Sequence, residues 1–560
     1  MTDTIRNSFI WRGLFAFLIS VRDIFHKGTV FVTYSSLRKY YNYSATICIW
    51  TAFCAADNFT VNSLYGRTMA WIRRVLEALG DIAVKSCFYR ILIRLRNLYF
   101  HMTKGSVVFS YINKLSLHQW VLAAFVLYLP LEYVIRDVLP AAFIASIWEE
   151  MFILDAVVLV LWRRALRQTQ TTGRETPLDG YLILFMAVGL LLMSAVNPYP
   201  AVALAGYRAV VEYLVWFFII IRLIEDDEDF KVVYYTFIGM GALLCLHGIY
   251  QYVIAVPIPS SWVSQTEMGV RTRVFSLTGS PNIFGSLIVM IAPMAAAMIY
   301  YCRKTYAKLF FIAVTGMMCL CLLFTFSRGA WVGIVVAVIL FSLYTDRRLL
   351  SLMVAAIAGV LIFVPSITSR LTYLFTSDYA EASAVGGRAL RWETGRMLLT
   401  ENNPWLGFGL GRFGGAVAMN NQILDETEEF SYFYMDNYYL KTMVEMGYIG
   451  IIFFVLLILA LVVWGFRAIY RSGLRSPGMA EEQPFGEIIE KTAQLELTQQ
   501  DPLLRSAGSR KVLAVGIFSG LAGVLVHCHF ENIFEEPYMM AYFWGLAASL
   551  MYLGFFSSRQ

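Results

Sequence analysis

Long apolar runs separated by short polar connections fill the chain from residue 117 onwards. A helix needs roughly twenty apolar residues to cross the hydrocarbon core of a bilayer, and most of these runs approach or reach that length. The pattern predicts an all-α polytopic membrane protein with about twelve transmembrane helices. The predicted spans are residues 117–134, 140–162, 178–196, 207–224, 230–253, 282–301, 309–325, 331–344, 349–365, 438–466, 512–530 and 538–556.

One polar interruption, residues 367–435, separates the ninth predicted span from the tenth, which lies in 436–471. Loops of more than about fifteen residues are commonly either functional or disordered. This loop is rich in aromatic residues, leucine and glycine, as in GGRALRWETGRMLL and NPWLGFGLGRFGG. We therefore predict a folded element at the membrane surface that carries an active site.

The first part of the chain differs from the rest in charge. The formal net charge is +6, yet residues 1–115 hold fifteen Lys and Arg against five Asp and Glu. These basic residues alternate with apolar and aromatic residues at helix-like spacing, a pattern typical of helices that lie on an anionic leaflet. We predict that residues 1–115 form a cytoplasmic, membrane-lying region, with one or two weak spans as the alternative.

Composition excludes several classes of protein. The chain is 58% hydrophobic and 15% charged, with a mean hydropathy of +0.61, whereas soluble domains carry about 25% charged residues. Nothing in it suggests a nucleic-acid partner. The eight cysteines have no regular spacing, so neither a disulfide framework nor a metal centre is expected. We also expect no cleavable signal peptide, because Arg12 interrupts the apolar run at residues 9–20.

Lysine and arginine in the short connections predict the orientation of the spans. A single orientation of the spans places several basic connections together on the cytoplasmic side. Their basic residues are Arg163, Arg164, Arg167, Arg174, Arg303, Lys304, Lys308, Arg347, Arg348, Arg467, Arg471 and Arg475. The loop 367–435 and the connections 254–280, 327–329 and 527–537 then face outwards. The first nine spans lie in 116–366. The polar linker 472–511 stays cytoplasmic, and residues 512–560 hold the last two spans.

The predicted outer face collects arginines and no lysine. Guanidinium groups are permanently charged and fork onto phosphate oxygens, so this group of side chains suits a pyrophosphate or another polyanion. Each arginine alone could instead reach lipid head groups or pair with an acid such as Asp378, Glu381 or Glu393. The arginines are Arg271, Arg273, Arg328, Arg370, Arg388, Arg391, Arg396 and Arg412.

Asp436 and Asn437 open the tenth span, at the boundary between the loop and the helix. Aspartate is a preferred N-cap, so capping of this helix is the first interpretation of Asp436. A carboxylate beside an arginine cluster is also a candidate general base for a hydroxyl nucleophile. Both interpretations stay open on the residues alone.

Other ionisable residues are weaker candidates. Glu445 lies inside the tenth span, where an ionisable group is either functional or pairs with another helix. Two histidines at positions i and i+2, His527 and His529, point to different sides of a helix, so a metal shared with Glu531 is not expected. The outer turn ends with Glu535 and Glu536, which could position sugar hydroxyls or be solvated.

Four segments in order resemble one known family: TFSRGAWVGI, GGRALRWETGRMLL, NPWLGFGLGRFGG and DNYYLKTMVEMGYIG. Together they are similar to the O-antigen ligase and O-antigen polymerase (Wzy-type) superfamily, over roughly residues 270–465. The resemblance implies a GT-C-like membrane glycosyltransferase that works on the outer face. Such enzymes take a glycan from undecaprenyl pyrophosphate and pass it to an acceptor hydroxyl, without nucleotide sugar, metal or other cofactor.

The resemblance also implies roles for individual residues. Arginines of two outer loops hold the pyrophosphate in the ligases, which here are Arg271 or Arg273 and Arg388 or Arg391. Arg328, Arg412, Asn437 and Tyr439 would complete the substrate site. The histidine that begins the ligases' HN-x-YL motif, thought to activate the acceptor, is here Asp436. The DN-x-YL form is more similar to polymerases and to exopolysaccharide or teichuronic-type members.

The sequence therefore predicts an inverting polysaccharide polymerase of cell-surface glycan biosynthesis, acting on lipid-linked repeats at the outer face of a bacterial plasma membrane. A ligase that moves finished glycan to a lipid, wall polymer or protein is the alternative within this class. A transporter or flippase of lipid-linked sugars is the alternative of another class, although we find no pairing of broken helices in two halves. Expected partners are the lipid-linked donor, a glycan or lipid acceptor, membrane lipids and other polysaccharide-assembly proteins.

Overall fold

The computed structural model describes residues 115–138, 142–165, 174–257, 272–363, 365–385, 387–422, 433–473 and 502–557, with Arg67, Trp71 and Arg74. The interpretation of residues 1–115 lies almost entirely outside the described residues. Of the predicted linker 472–511, residues 474–501 lie outside them, and residues 502–511 belong to the helix Pro502–His527. The chain divides into two compact units, one of residues 1–102 and 161–175 and one of residues 103–160 and 176–560. Little of the first unit is described, and the long polar loop with its neighbouring helices belongs to the second.

All regular secondary structure in the described residues is helical, as predicted. The α-helices, in chain order, are α1 Leu117–Val126, α2 Tyr128–Tyr133, α3 Ala142–Ala165, α4 Asp179–Val196, α5 Pro200–Val211, α6 Val215–Leu223, α7 Asp227–Ile254, α8 Pro281–Tyr301, α9 Thr305–Phe324, α10 Arg328–Tyr344, α11 Arg348–Phe363, α12 Pro365–Thr372, α13 Ser377–Val385, α14 Arg388–Glu401, α15 Ala416–Asn421, α16 Tyr438–Ser472, α17 Pro502–His527 and α18 Pro537–Phe555. Short turns of other helix types cover Val134–Val138, Glu212–Leu214, Tyr373–Phe375 and Ile533–Glu535.

Helices occupy every predicted span, and eight stretches of the described chain are long and apolar enough to cross a membrane. Two of the other predicted spans, α10 and α11, are shorter apolar helices of 17 and 16 residues. The first predicted span, 117–134, is divided into two helices at Leu127. The second predicted span, 140–162, corresponds to α3, which carries several charged residues. A multi-pass membrane protein is therefore confirmed, while the number twelve remains a prediction. The eight are α4, α5 with α6, α7, α8, α9, α16, Arg510–His527 and α18.

Glycines let the central helices approach closely. A Cβ added to Gly333 in α10 would lie 2.8 Å from the carbonyl oxygen of Gly523 in α17, and the reverse distance is 2.7 Å. A Cβ on Gly520 would lie 2.2 Å from the carbonyl oxygen of Met290 in α8. Small residues at such contacts allow backbones to pack in lipid, where van der Waals contact drives helix association. The apolar residues of α18 are buried among the other helices, so this helix lies in the interior of the bundle.

The helix α16 is interrupted at Gly447, whose φ of 65° and ψ of −170° are not helical. The break removes the normal bond from Tyr448 to Val444, and residues of the long loop replace it. The N–H of Phe408 donates to the Val444 carbonyl at 2.7 Å, and the Tyr448 N–H donates to the Pro404 carbonyl at 2.8 Å. Backbone groups in a membrane helix must be paired within the protein, and the loop provides the partners here.

A second pair of backbone hydrogen bonds joins the same loop segment to α16. Gly409 donates to the Glu445 carbonyl at 3.0 Å, and Ile449 donates to the Trp405 carbonyl at 3.2 Å. A Cβ on Gly447 would lie 2.3 Å from the Trp405 oxygen, so only glycine fits the crossing. The loop predicted to be folded thus packs as α12–α15 and as a segment joined to α16, and residues 423–432 lie outside the described residues.

Candidate active site

The Asp436 carboxylate lies at the centre of a cluster of donors from α14. Its Oδ2 accepts from Arg388 Nε at 2.6 Å and from Arg391 Nη2 at 2.9 Å. Its Oδ1 accepts from Trp392 Nε1 at 3.0 Å. The Asp436 side chain is 10% exposed, while those of Arg388 and Arg391 are 34% and 27% exposed. Two guanidinium groups thus share one carboxylate beside a partly open surface.

Helix periodicity explains why these three donors act together. Arg388, Arg391 and Trp392 stand at positions i, i+3 and i+4 of α14, which place them on one face of the helix. Arg388 is the first residue of the helix and follows Gly387. The motif RALRW therefore presents both cations and the indole N–H to the same carboxylate.

Asn437, and not Asp436, caps α16, so the first interpretation of Asp436 was wrong. The helix begins at Tyr438, and Asn437 Oδ1 accepts from the Leu440 N–H at 3.0 Å. Both residues are good N-caps, but only the one directly before the first helical residue can reach that N–H group. The Asp436 side chain is thereby left to bind the arginines.

A second carboxylate, Glu531, lies in the turn between α17 and α18, next to the same arginine. Arg388 Nη2 donates to the carbonyl of Phe530 at 2.9 Å. Asn282 Nδ2 donates to Glu531 Oε2, and Arg273 Nη2 donates to Asn282 Oδ1 at 3.1 Å. Arg273 is thus connected through Asn282 to Glu531, beside the Asp436 cluster. The structure brings Arg273, Arg388 and Arg391 into one region, as the sequence predicted.

The protonation of Glu531 is shifted by its surroundings. Burial raises the pKa of the Glu531 carboxyl above its ordinary value, and the charge of Asp436 adds to this effect. The Arg388 charge and the Asn282 hydrogen bond act in the opposite direction. In the same turn, burial together with the charges of Glu535 and Glu531 raises the pKa of Glu536 to about 7. A carboxyl with a raised pKa is a better proton acceptor than an ordinary one.

A chain of buried charges holds the glycine-rich loop beside the cluster. Lys441 Nζ lies 3.2 Å from Glu445 and 3.1 Å from Glu535. Glu445 Oε1 accepts from the backbone of Gly411 at 3.0 Å and Phe413 at 3.2 Å. The position of Glu445 therefore supports an anchoring role: it joins α16 to the loop rather than to another spanning helix.

Glu535 anchors the end of the same loop. Its Oε1 accepts from the N–H of Ala416, the first residue of α15, at 2.6 Å. Burial opposes the change, yet Lys441 and this N–H group together lower the pKa of Glu535. An ionised Glu535 neutralises Lys441 and fixes the loop, which argues for a structural carboxylate.

Other predicted site residues make mainly structural contacts. Tyr439 donates its hydroxyl to the Leu525 carbonyl at 2.7 Å, between α16 and α17. The Arg412 guanidinium lies over the ring of Phe408 at 4.0 Å and faces Tyr199 at 5.8 Å. None of these contacts links Arg412 or Tyr439 to Asp436 within the part of the chain that the structure describes. Arg271 and the side chain of Arg370 lie outside the described residues.

Arg328 lies closer to the cluster. It is the first residue of α10, and the tight turn precedes it at Phe326, which has a φ of 51°. A Cβ on the next residue, Gly329, would lie 2.5 Å from His527 and 3.0 Å from Phe530. The start of α10 thus packs against the segment whose carbonyl binds Arg388.

The two histidines at the turn between α17 and α18 have different partners. His527 Nδ1 lies 2.6 Å from the hydroxyl oxygen of Ser286, whereas the His529 ring faces the ring of Trp392 with centroids 5.5 Å apart. Elsewhere, the potential ligand atoms of His118, Glu225 and Asp229 lie within 4.8 Å of one another.

The side chains of His118 and Asp229 in this group already make hydrogen bonds within the protein. Asp229 accepts from Gln119 at 2.8 Å and from the Glu225 backbone at 2.8 Å, and His118 lies 3.1 Å from both of its oxygens. These contacts join α1 to α7, so the group is better explained as a helix anchor than as a metal site.

Sequence reasoning missed three contributors to the site. Trp392 lies inside the motif RALRW, and its spacing from Arg388 was the available signal. Glu531 was considered only as a metal ligand, although an acid between two spans on the arginine-rich face could have been noted. Nothing in the sequence pattern indicated Asn282, which follows a helix-starting proline.

Comparison with known families gives a match over a segment that contains part of this site. A family model described as Wzy_C, O-antigen ligase, matches residues 313–455. The matched segment contains Arg328, Arg388, Arg391 and Asp436, whereas Glu531 lies outside it. The resemblance carried by the four motifs is thereby confirmed. No curated protein matches the chain.

Proposed function

Because its O-antigen ligase domain places this chain in the O-antigen ligase and polymerase superfamily, we propose that it is a polysaccharide polymerase. It joins glycan repeats carried on undecaprenyl pyrophosphate at the outer face of a bacterial plasma membrane. The observation that carries the proposal is the binding of Arg388 and Arg391 to one carboxylate, Asp436.

The charge of the cluster suits a pyrophosphate. Arg273, Arg388 and Arg391 together exceed the charges of Asp436 and Glu531, and the Arg388 and Arg391 side chains are 34% and 27% exposed. Guanidinium N–H groups that a carboxylate holds in place can fork onto phosphate oxygens without reorganising. Arg273 and Arg328 lie on the two neighbouring segments and extend the positive surface.

The transfer step follows from this arrangement. An acceptor hydroxyl forms a bond to the anomeric carbon of the donor sugar, and the bond from that carbon to the pyrophosphate oxygen breaks. The electron pair leaves with the pyrophosphate, whose growing charge the arginines stabilise. The hydroxyl proton passes to a protein carboxylate. Inversion results when the acceptor and the carrier lie on opposite faces of the sugar.

Glu531 is the carboxylate that we assign to this proton. Asp436 Oδ2 already accepts from Arg388 and Arg391 and Oδ1 accepts from Trp392, which leaves only one lone pair of this carboxylate for a hydroxyl. Glu531 accepts from the Asn282 side chain and has a raised pKa, which favours proton uptake. Asp436 then positions the arginines rather than acting as the base.

The test is turnover by the purified full-length protein in detergent. The substrate is the host's undecaprenyl-pyrophosphate oligosaccharide, without a second acceptor, and products are sized on a gel. A ladder of lengthening glycans with released undecaprenyl pyrophosphate supports polymerisation. Transfer only after a lipid, wall or protein acceptor is added replaces the proposal with the ligase alternative. No transfer to any acceptor, with donor movement across a vesicle membrane, replaces it with transport.

A further inference from the structure

A cavity of about 530 Å³ lies at the end of the helices opposite to Asp436. It is formed where α7 and α17 enter the bundle and where α8 and α18 end. Asn282 at the start of α8 belongs to the candidate active site, whereas Tyr301 at the end of this helix lines the cavity. A helix of 21 residues rises by about 30 Å, so the two sites are separated by roughly a membrane thickness.

The cavity combines apolar walls with basic groups. Its charged lining is four cations and one acid: Lys231, Arg303, Lys304, Arg510 and Asp227. Phe230, Leu513 and Leu553 provide apolar wall. The lining thus carries an excess of positive charge beside apolar surface, at the boundary of several apolar helices.

Asp227 is already engaged by other groups. Its Oδ1 accepts from the Tyr552 hydroxyl at 2.9 Å and from the Ser557 hydroxyl at 2.9 Å. Its Oδ2 lies 3.3 Å from Arg510. Asp227 therefore neutralises at most one of the four cations in the cavity.

The remaining cations are poorly neutralised. Lys231 lies 2.5 Å from Glu228, whose side chain is 67% exposed, so solvent weakens this pair. Lys304 Nζ faces the Tyr306 ring at 5.6 Å. Among the ion pairs of the described residues, neither Arg303 nor Lys304 has a carboxylate partner. The cavity presents these charges to whatever occupies it.

We infer that this cavity binds the phosphate head group of an anionic phospholipid. Arg303 and Lys304 contact the phosphate, and the apolar wall at Phe230, Leu513 and Leu553 receives the glycerol and the first acyl carbons. Free phosphate could use only the cations, so the apolar wall favours a lipid as the source of the phosphate. The inference does not depend on the proposed function, because it concerns other residues and a binding measurement.

The experiment measures thermal unfolding of the purified full-length protein during titration with three probes. They are diheptanoyl phosphatidylglycerol, diheptanoyl phosphatidylcholine and inorganic phosphate. A ligand that binds only the folded state raises the unfolding temperature. We expect phosphatidylglycerol alone to stabilise the wild-type protein. Equal stabilisation by phosphatidylcholine, or the same effect from inorganic phosphate, would overturn the inference.

Two double variants, each of which removes two positive charges, test whether the lipid binds in the cavity. In Arg303→Gln/Lys304→Gln, the phosphatidylglycerol concentration for half of the effect should rise about tenfold or more. The control is Arg347→Gln/Arg348→Gln, which removes two exposed cations outside the cavity and should leave that concentration unchanged. Native mass spectrometry of the first pair should show loss of bound phosphatidylglycerol. Wild-type retention in both measurements would refute the assignment.

Discussion

Arg388 Nε lies 2.6 Å from Asp436 Oδ2, although 48 positions separate the two residues in the chain. This contact joins the first turn of α14 to the residue that precedes the cap of α16. It fixes one guanidinium group at the surface where the proposed pyrophosphate binds. The ion pair is partly exposed, so we attribute to it the positioning of charge rather than a large share of stability.

Replacing Arg388 should slow transfer strongly without unfolding the protein. We expect Arg388→Gln to lower turnover by about 10²-fold or more, because removing one preorganised donor to a developing charge has costs of this size. Arg396→Gln is the matched control, since Arg396 is exposed on the same helix. Product sizing and thermal unfolding measure the two effects. Equal turnover by both variants would refute the role of Arg388.

Substitutions of Asp436 and Asn437 should have different effects, the first on turnover and the second on stability. Asp436→Asn keeps the size of the side chain but removes the charge that holds Arg388 and Arg391, so turnover should fall with little change in unfolding temperature. Asn437→Ala removes the cap of α16 and should cost about 1 kcal/mol of stability. Thermal unfolding and initial rates distinguish the two, and reversed outcomes would contradict the assigned roles.

The acid side of the pH profile should depend on Glu531. A proton acceptor works only when ionised, and the raised pKa of Glu531 means that its ionised fraction grows over a pH range above that of an ordinary glutamate. Wild-type turnover should therefore rise with pH through that range. Glu531→Gln should be slow and should lose this limb, while still binding the lipid-linked donor. If turnover by Glu531→Gln still rose with pH as in the wild-type protein, Asp436 would be the better candidate for the proton acceptor.

The interruption in α16 should tolerate only glycine. Gly447→Ala places a Cβ 2.3 Å from the Trp405 oxygen at a positive φ, and we expect a loss of at least about 2 kcal/mol of stability. Gly316→Ala in α9 is the control, because its added Cβ meets no atom within 4 Å. Unfolding of the two variants in detergent compares them. A Gly447→Ala protein as stable as the control would contradict the docking.

Single cysteines test the orientation. Thr400→Cys should react with a membrane-impermeant thiol reagent in intact cells, whereas Glu490→Cys should react only after permeabilisation. Thr400 is exposed on α14, and residue 490 lies in the predicted cytoplasmic linker. The unsubstituted protein gives the background from the native cysteines. The opposite labelling pattern would reverse the predicted faces.

Sequence patterns located the helices because long apolar runs report burial in lipid directly. The bounds differ where a turn signal lies close to a helix start. The predicted span began at Tyr207, yet the helix α5 starts at Pro200. Proline favours turns in a sequence pattern, but it also fits the first position of a helix, so the pattern alone does not place this boundary.

The candidate site was predictable in its local parts only. The spacing of RALRW and the motif DN-x-YL indicated which side chains bind and position charge. Asp436 and Asn437 are both residues that cap helices well, so the sequence does not show which of them precedes the first residue of α16. The bond from Asn282 to Glu531 spans 249 positions, and no local pattern reports a contact at that distance.

The break at Gly447 also has a consequence for biogenesis. Val444, Glu445, Tyr448 and Ile449 each have a backbone group whose partner is in residues 404–409. In lipid, four unpaired groups would cost several kcal/mol each. The loop precedes the helix in the chain, so a ribosome delivers the partner segment first. The backbone groups of α16 are thus paired by a segment that is already translated, and the helix is fully hydrogen-bonded only once residues 404–409 pack against it.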